Sequence, residues 1–329
     1  MKIAFFSTKS YDTVYFDQAN DNESHQITYF QVPLNAETAI LAKGFDAVCV
    51  FVNDKLDASV IEVLASSGIE AIALRCAGYN NVDLQAASSN HIKVVRVPAY
   101  SPQAVAEHAL ALILTLNRKT HKAYNRIREN NFSIEHLTGF NLFEKTVGVI
   151  GTGLIGAAFC RIMLGMGCKV LAFDIHPNPT LQALGVEYDS MDEVMANADI
   201  LSLHCPLTPE TYHLIDQKAI EKMKPGVMLI NTSRGGLIHT EDAIDALKQQ
   251  QLGYLGIDVY EQEAGLFFRD LSESFIQDDV IARLMTFPNV LITGHQGFFT
   301  KEALLQISHT TLQNLSAVEN GDICKNEVQ

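Results

Sequence analysis

Three residues of this 329-residue chain combine types that could move a proton beside a bound acid: Arg234, Glu263 and His295. Each follows an apolar run. Leu229-Ile230-Asn231-Thr232-Ser233 leads into Arg234, the run ending at Asp258 leads towards Glu263, and Leu291-Ile292-Thr293-Gly294 leads into His295. An arginine can grip a carboxylate through two parallel hydrogen bonds. A histidine is the usual proton donor near neutral pH, and an adjacent carboxylate would hold it upright and raise its pKa. Each residue also has a plainer reading. Arg234 could pair with a surface acid, Glu263 could be solvated within the acidic loop Glu261-Gln262-Glu263, and His295 is one of eleven histidines. Their joint placement at the ends of successive strand-like runs favours chemistry, because ligands of open α/β sheets bind there.

A glycine motif upstream says what else binds. Thr146 to Ile150 reads as a buried strand, Gly151-Thr152-Gly153-Leu154-Ile155-Gly156 as a turn opening a helix to Met166, and Lys169 to Phe173 as a second strand ending at Asp174. Strand, glycine turn, helix, strand and acid, with the acid eighteen residues after the last glycine, form a dinucleotide-binding fingerprint in its expected context. Gly151 permits the tight turn, Gly153 lets the backbone approach a pyrophosphate, and Gly156 allows close helix–strand packing. The phosphates would lie at the helix N-terminus, where unpaired N–H groups and the helix dipole favour anions.

The elements that must position these residues alternate along the whole chain. Before residue 100, strands are expected at Ile3–Ser7, Ile27–Phe30, Ala47–Phe51, Ala71–Leu74 and Val94–Val97, with helices near Asp12–Asn20, Ala36–Lys43 and Ser59–Ser67. That order implies parallel βαβ units in a doubly wound sheet. Ser101-Pro102 opens a strongly apolar helix, Ala104 to Thr120, in the manner of an N-cap followed by proline. It reads either as a helix buried against another subunit or as a core helix of the cofactor domain. After Asp174, strands are expected at Ile200–His204, Val227–Asn231, Tyr254–Asp258 and Val290–Thr293, and a last helix at Glu302–Glu319. That helix is surplus to the cofactor sheet, and packing back onto the N-terminal domain would split that domain and create a hinge that closes over a ligand.

Composition bounds the function. Hydrophobic content of 47% and charged content of 19% describe an ordinary globular chain of two domains. A formal charge of −14 argues against nucleic acid or an anionic membrane as partner, though one local arginine can still hold a small anion. The six cysteines lie mostly in apolar runs without a CxxC pair and read as reduced buried thiols. Met1 to Ser7 reads as a first strand rather than a signal peptide, and the longest apolar run, Ala109 to Leu116, falls far short of the ~20 residues that span a bilayer. The expectation is a cytoplasmic protein. No His/Cys/Asp spacing suggests a metal; His204 reads as a satisfied strand-end histidine, and His239-Thr240-Glu241 as a helix cap.

Taken together, Arg75-Cys76-Ala77-Gly78-Tyr79-Asn80-Asn81-Val82-Asp83, Gly151 to Gly156, Asn231 to Gly235, Gly256 to Glu263 and Gly294-His295-Gln296 resemble the D-isomer-specific 2-hydroxyacid dehydrogenases over essentially the whole chain. Phe51-Val52-Asn53-Asp54, Arg96-Val97-Pro98-Ala99-Tyr100 and Leu266-Phe267-Phe268 are similar to the bacterial fermentative lactate-type branch. The resemblance implies an α/β fold of two doubly wound parallel-sheet domains. A Rossmann-type NAD domain, 100–298, is inserted in a flavodoxin-like split substrate domain, 1–99 plus 299–329. It also implies that Arg234 binds the substrate carboxylate, that His295 gives its proton to the carbonyl oxygen as NADH delivers hydride, and that Glu263 hydrogen-bonds His295. The backbone N–H groups of Ala77 and Gly78 would hold the carboxylate, while Phe51, Tyr100 and Phe298 would set substrate size. For NAD, the implied contacts are Gly151, Gly153, Ile155, Gly156, Asp174, Cys205, Pro206, Thr232, Ser233, Arg234 and Asp258. Asp174 would bind the adenosine ribose, and its charge would repel the 2′-phosphate of NADP. The family commonly has proline after the catalytic glutamate; Ala264 stands here, followed by an insertion from Leu266 to Asp279.

The small aromatic wall points to pyruvate and D-lactate as the 2-keto and 2-hydroxy acid; a homodimer or homotetramer is expected separately. Two other readings stay open: a dehydrogenase for larger acids of the hydroxyisocaproate type, and an NAD-sensing corepressor-like binding protein. The intact Arg234, Glu263 and His295 set and the lack of basic tails weigh against the second.

Overall fold

The structure, a computed structural model, describes residues 1–21 and 24–328. Strands β1 (Lys2–Phe5), β2 (Gln26–Tyr29), β3 (Ala47–Val50), β4 (Ala71–Leu74) and β5 (Lys93–Arg96) come first. Next are β6 (Thr146–Ile150), β7 (Lys169–Phe173), β8 (Glu187–Tyr188), β9 (Ile200–Leu203), β10 (Val227–Asn231), β11 (Leu252–Ile257) and β12 (Val290–Ile292). A short β13 (Glu327–Val328) follows the last helix. The chain divides into two compact units, residues 1–101 with 298–329, and residues 102–297.

The first unit holds a sheet in the order β13-β5-β4-β3-β1-β2, parallel except for β13 against β5. Its central strands are apolar on both faces, as parallel strands covered by helices must be; all four residues of β3 and of β4 are buried. The 2-1-3-4-5 order is flavodoxin-like, with the strand order reversing between β1 and β3. The Lys301–Asn320 helix packs on β4, β5 and the Ser10–Ala19 helix, so the C-terminal segment belongs to this unit's core.

The second unit holds seven parallel strands in the order β12-β11-β10-β9-β6-β7-β8, the doubly wound arrangement whose switch point lies between β6 and β9. The apolar Pro102–Arg118 helix lies inside it. Ala106, Ala109, Leu112, Ile113 and Leu116 are buried in one cluster with Val147, Phe159 and Ile230. Each such Leu or Ile contributes about 1.5–3 kcal/mol by leaving water. Burial against another subunit is therefore not what its hydrophobicity serves; it is a core helix of this unit.

Local departures from expectation have local causes. The helix expected to run on to Thr120 breaks at Lys119, which adopts a left-handed φ of +50°, and a new helix runs from Thr120 to Arg128. The helix expected over Ala36–Lys43 is only a 3-10 turn, Ala39–Ala42, because Asn35 and Thr38 bond each other's backbone and side chains and hold the chain in a turn.

Candidate active site

In the second unit the glycine turn sits at the switch point. Gly151 has φ +92°, and a Cβ there would lie 2.7 Å from the Cys205 amide nitrogen across the crevice, while a Cβ on Gly156 would fall 1.9 Å from the Gly151 carbonyl oxygen. Gly153 caps the Leu154–Gly165 helix with open space over its Cα. Ile155 lies in that helix's first turn. Asp174, at the end of β7, accepts from the Thr152 amide (2.5 Å) and hydroxyl (3.1 Å) and from the His176 amide (2.8 Å). Burial opposes its charge, but these donors outweigh burial and hold the carboxyl below its ordinary range. Asp174 thus also fixes the glycine turn.

The next strand ends carry Cys205-Pro206 and Thr232-Ser233-Arg234. The Ser233 hydroxyl donates to the Cys205 carbonyl (2.7 Å), tying the two loops. Asn231 shapes the Arg234 turn: its side chain accepts from the Ser233 amide (3.0 Å) and donates to the Arg234 carbonyl (2.8 Å). The half-buried Arg234 guanidinium donates to the Ser233 carbonyl, 2.7 Å away. Thr232 is buried, and its hydroxyl has no hydrogen-bond partner.

Glu263 and His295 meet. Glu263 Oε1 is 3.0 Å from His295 Nδ1, and its other oxygen accepts from the Tyr260 amide at 3.2 Å. His295 has φ +53°, a strained conformation for a non-glycine residue, held by a 2.7 Å bond from its amide to the Asp258 carbonyl. Asp258, only 2% exposed, supports the same loop with its side chain. Its carboxylate accepts from the Gln296 amide (2.9 Å), the Gly297 amide (2.7 Å) and the Thr293 hydroxyl (2.5 Å), and lies 3.3 Å from His108 Nε2. Burial pushes against this charge, yet the bonds from His108, Thr293 and Gln296 hold the carboxyl below its ordinary range. Of two neighbouring histidine readings, one changes, and the other, a helix cap at His239, holds for position alone. His204 donates or accepts only at Nε2, 2.9 Å from the Ser202 hydroxyl; its Nδ1 is buried without a partner, and burial pushes its pKa down to about 3. His239 caps nothing with its side chain, which pairs with Asp242 (2.9 Å); the Thr240 amide is taken by Glu261 instead (3.3 Å).

In the first unit the three expected aromatics converge. The Phe298 ring centre lies 6.3 Å from Phe51 and 5.9 Å from Tyr100. Phe51 is backed by the buried Arg75 guanidinium, 4.9 Å from its ring centre. The loop bearing Ala77 and Gly78 is shaped by its carbonyls: Arg96 donates to the Ala77 oxygen (2.7 Å) and the Cys76 thiol to the Gly78 oxygen (3.2 Å).

Residues 110–297 match the D-isomer specific 2-hydroxyacid dehydrogenase family, NAD binding domain. Over 328 residues, all of both chains, the sequence is 54% identical to the D-lactate dehydrogenase of Escherichia coli. It belongs to the D-isomer specific 2-hydroxyacid dehydrogenase family. The apo-structure of the Escherichia coli enzyme superposes with TM-score 0.93 over the full length of both chains, at 52% identity. The pyruvate reductase of Chlamydomonas reinhardtii gives 0.95 at 46% identity, covering 99% of this chain and 98% of the other. A D-2-hydroxyisocaproate dehydrogenase gives 0.87 at 31% identity, covering 100% and 99%. As a member of this family, the chain is an NAD-dependent oxidoreductase.

Sequence reasoning missed several residues that this 2-hydroxyacid dehydrogenase brings to the site. Phe268, from the insertion after Glu263, places its ring 5.7 Å from that of His295. His108 and Thr293 brace Asp258, and Thr152 links Asp174 to Tyr188 through a 2.9 Å hydroxyl bond. Thr152, Thr293 and Phe268 lie within or beside quoted motifs, but the side-chain partners of all four are set by contacts distant in sequence. Among the described residues, no group of three or more His, Cys, Asp or Glu could hold a metal.

Proposed function

We propose that the chain is an NAD-dependent D-lactate dehydrogenase that reduces pyruvate to D-lactate and runs in reverse. The Glu263–His295 hydrogen bond carries this reading. With Nδ1 engaged by the carboxylate, the imidazole has one tautomer and one orientation, leaving Nε2 to face a substrate oxygen. In reduction, His295 Nε2 gives its proton to the carbonyl oxygen and recovers one from solvent; in oxidation it accepts the hydroxyl proton. Arg234, on the loop after β10, grips the substrate carboxylate and polarises its carbonyl. In the first unit, the Ala77 and Gly78 amides suit a carboxylate, and Phe51, Tyr100 and Phe298 exclude larger side chains. The full-length identity to a D-lactate dehydrogenase, against 31% for the hydroxyisocaproate enzyme, supports the smaller acid.

The residues present fit NAD. Open space over Gly153 at a helix N-terminus suits the pyrophosphate. Asp174 suits the ribose hydroxyls, Cys205-Pro206 the adenine side, and the orphaned Thr232 hydroxyl with Ser233 and Asp258 the nicotinamide side. When bound, NADH supplies the hydride.

The reading includes a cytoplasmic homodimer or homotetramer. Six buried cysteines, none of them in a disulfide among the described residues, support a reducing compartment. Tyr124, Ile127, Phe132, Ile134 and Phe143, each more than half exposed, support a self-associating surface in the second unit. No described helix is long and apolar enough to cross a membrane.

The test is NADH oxidation with a panel of 2-keto acids, then NAD reduction with D- and L-lactate. Pyruvate preference with reversal by D-lactate alone is expected. Higher efficiency with branched keto acids would move the reading to the hydroxyisocaproate type, and tight NADH binding without turnover would make the chain a sensor.

A further inference from the structure

The stretch Tyr260-Glu261-Gln262-Glu263 carries two carboxylates, and each holds a different histidine. Glu263 takes His295 at 3.0 Å. Glu261 takes His213 Nε2 at 2.5 Å, although neither the sequence pattern nor the resemblance gives Glu261 or His213 a role. The Glu261 side chain is only 18% exposed, so it is not the solvated loop acid that its sequence neighbourhood suggests. Burial opposes its charge, but His213 and Thr240 outweigh burial and hold its carboxyl below the ordinary range.

What Glu261 joins is specific. Its second oxygen accepts from the Thr240 hydroxyl (3.0 Å) and amide (3.3 Å), at the start of the Thr240–Lys248 helix. His213, on the loop after β9, donates its amide to the Gly236 carbonyl at 2.8 Å. Gly236 is two residues beyond Arg234. One carboxylate therefore laces together the loops that follow β9, β10 and β11. The backbones touch at the same place: a Cβ on Gly235 would lie 2.1 Å from the Tyr260 carbonyl carbon and oxygen and 2.4 Å from the Glu261 nitrogen. The turn bearing Arg234 and the segment bearing Glu263 are thus in direct contact, with the Glu261 side chain closing the junction from beyond. Tyr212, stacked on His213 at 3.8 Å, and His239, 4.6 Å away, hold that imidazole in place.

We infer that Glu261 and His213 are positioning residues: their pair locks the Arg234 turn against the segment bearing Glu263 and so fixes the arginine relative to the Glu263–His295 proton donor. This inference rests on the reading of Arg234 as the carboxylate binder. Neither residue touches substrate. Their loss should misplace Arg234 while leaving the glycine turn that holds the cofactor unaltered.

The experiment is steady-state kinetics of the full-length enzyme carrying Glu261→Ala, His213→Ala, both together, Glu261→Gln and Arg234→Gln, each with its melting temperature. Expected for Glu261→Ala is a rise of about tenfold in the KM for pyruvate, with the KM for NADH unchanged, since displacing a binding group by a fraction of an ångström has effects of that order. His213→Ala should act in the same direction. The double variant should be no worse than the more affected single one, because the pair acts as a unit. Glu261→Gln, which keeps an acceptor, should recover part of the loss. A lower melting temperature or active fraction with unchanged pyruvate KM would reduce the pair to a structural role and overturn the inference. Additive effects of the two alanines would overturn it as well. Arg234→Gln separates the two layers. If it leaves the pyruvate KM unchanged, the carboxylate-binder reading fails and takes the inference with it; if it raises that KM while Glu261→Ala does not, only the inference fails.

Discussion

Glu263 Oε1 stands 3.0 Å from His295 Nδ1, and His295 keeps that place with its backbone in the left-handed region at φ +53°. A strained backbone of this kind costs about 1–3 kcal/mol and persists only where its surroundings dictate it. Here the Asp258 carbonyl and carboxylate and the amides of Gln296 and Gly297 dictate it. Replacing His295 by alanine should lower kcat by about 10²–10⁴-fold, the usual worth of a positioned acid–base group, while NADH affinity stays near its original value. Fluorescence titration with NADH beside turnover checks both; an equal loss of NADH binding would sink the proton-donor role.

Asp258 should matter to catalysis without touching the substrate. Asp258→Asn puts an NH₂ group where backbone amides and the Thr293 hydroxyl donate, leaving a buried donor facing donors. The expected cost is about 1–3 kcal/mol of stability, with a fall in kcat as the His295 loop shifts. Denaturant unfolding and turnover on the same preparation would measure it. Full activity at unchanged stability would contradict this account of the loop.

Substrate size should be adjustable at Tyr100, whose ring meets Phe298 at 5.9 Å. Tyr100→Ala should shift the ratio of kcat/KM for 4-methyl-2-oxopentanoate over that for pyruvate upward by about 10–200-fold, the range that packing of a small apolar group provides. An unchanged ratio would mean that the aromatic cluster is core alone.

Asp174 should set cofactor choice and also brace the glycine turn, since it accepts from both the amide and the hydroxyl of Thr152. Asp174→Ser removes the charge that repels a 2′-phosphate. The kcat/KM ratio of NADPH to NADH should rise by at least about tenfold, equivalent to about 1.4 kcal/mol. NADH should also bind more weakly, because the turn loses its anchor.

His204 gives a pH dependence with a definite sign. Burial lowers its pKa from 6.5 to about 3 in the folded chain. The unfolded chain therefore binds the proton first as pH falls. The stability contribution is complete above pH 6.5, falls by about 1.4 kcal/mol per pH unit below it, and is fully lost once pH drops through the folded value. His204→Gln should flatten the stability curve below pH 6.5 relative to the parent. Parallel curves would mean that His204 is charged, or solvated, in the folded state.

Much of this was legible in the chain itself. Local patterns decided the elements: continuous apolar runs gave buried parallel strands such as Val227–Asn231, and Gly151 to Gly156 with Asp174 marked the cofactor turn, because only glycine tolerates the backbone approaches at Gly151 and Gly156. Residue chemistry at strand ends singled out Arg234, Glu263 and His295 as candidates, and the fold joins the last two in a hydrogen bond. Tertiary structure decided what no local pattern encodes. It turned the apolar Pro102–Arg118 helix inward as core, since periodicity reports that a face is buried but not against what. It gave Glu261 and Glu263, two residues apart and alike in sequence, different histidines, 82 residues apart, whose proximity exists only after the strands have ordered themselves in the sheet. It also recruited His108, Thr152 and Phe268, whose side chains acquire partners only through contacts distant in sequence. Hydrophobic periodicity and backbone sterics act within a few residues, whereas the pairing of buried charges and rings depends on which segments the folded sheet brings side by side.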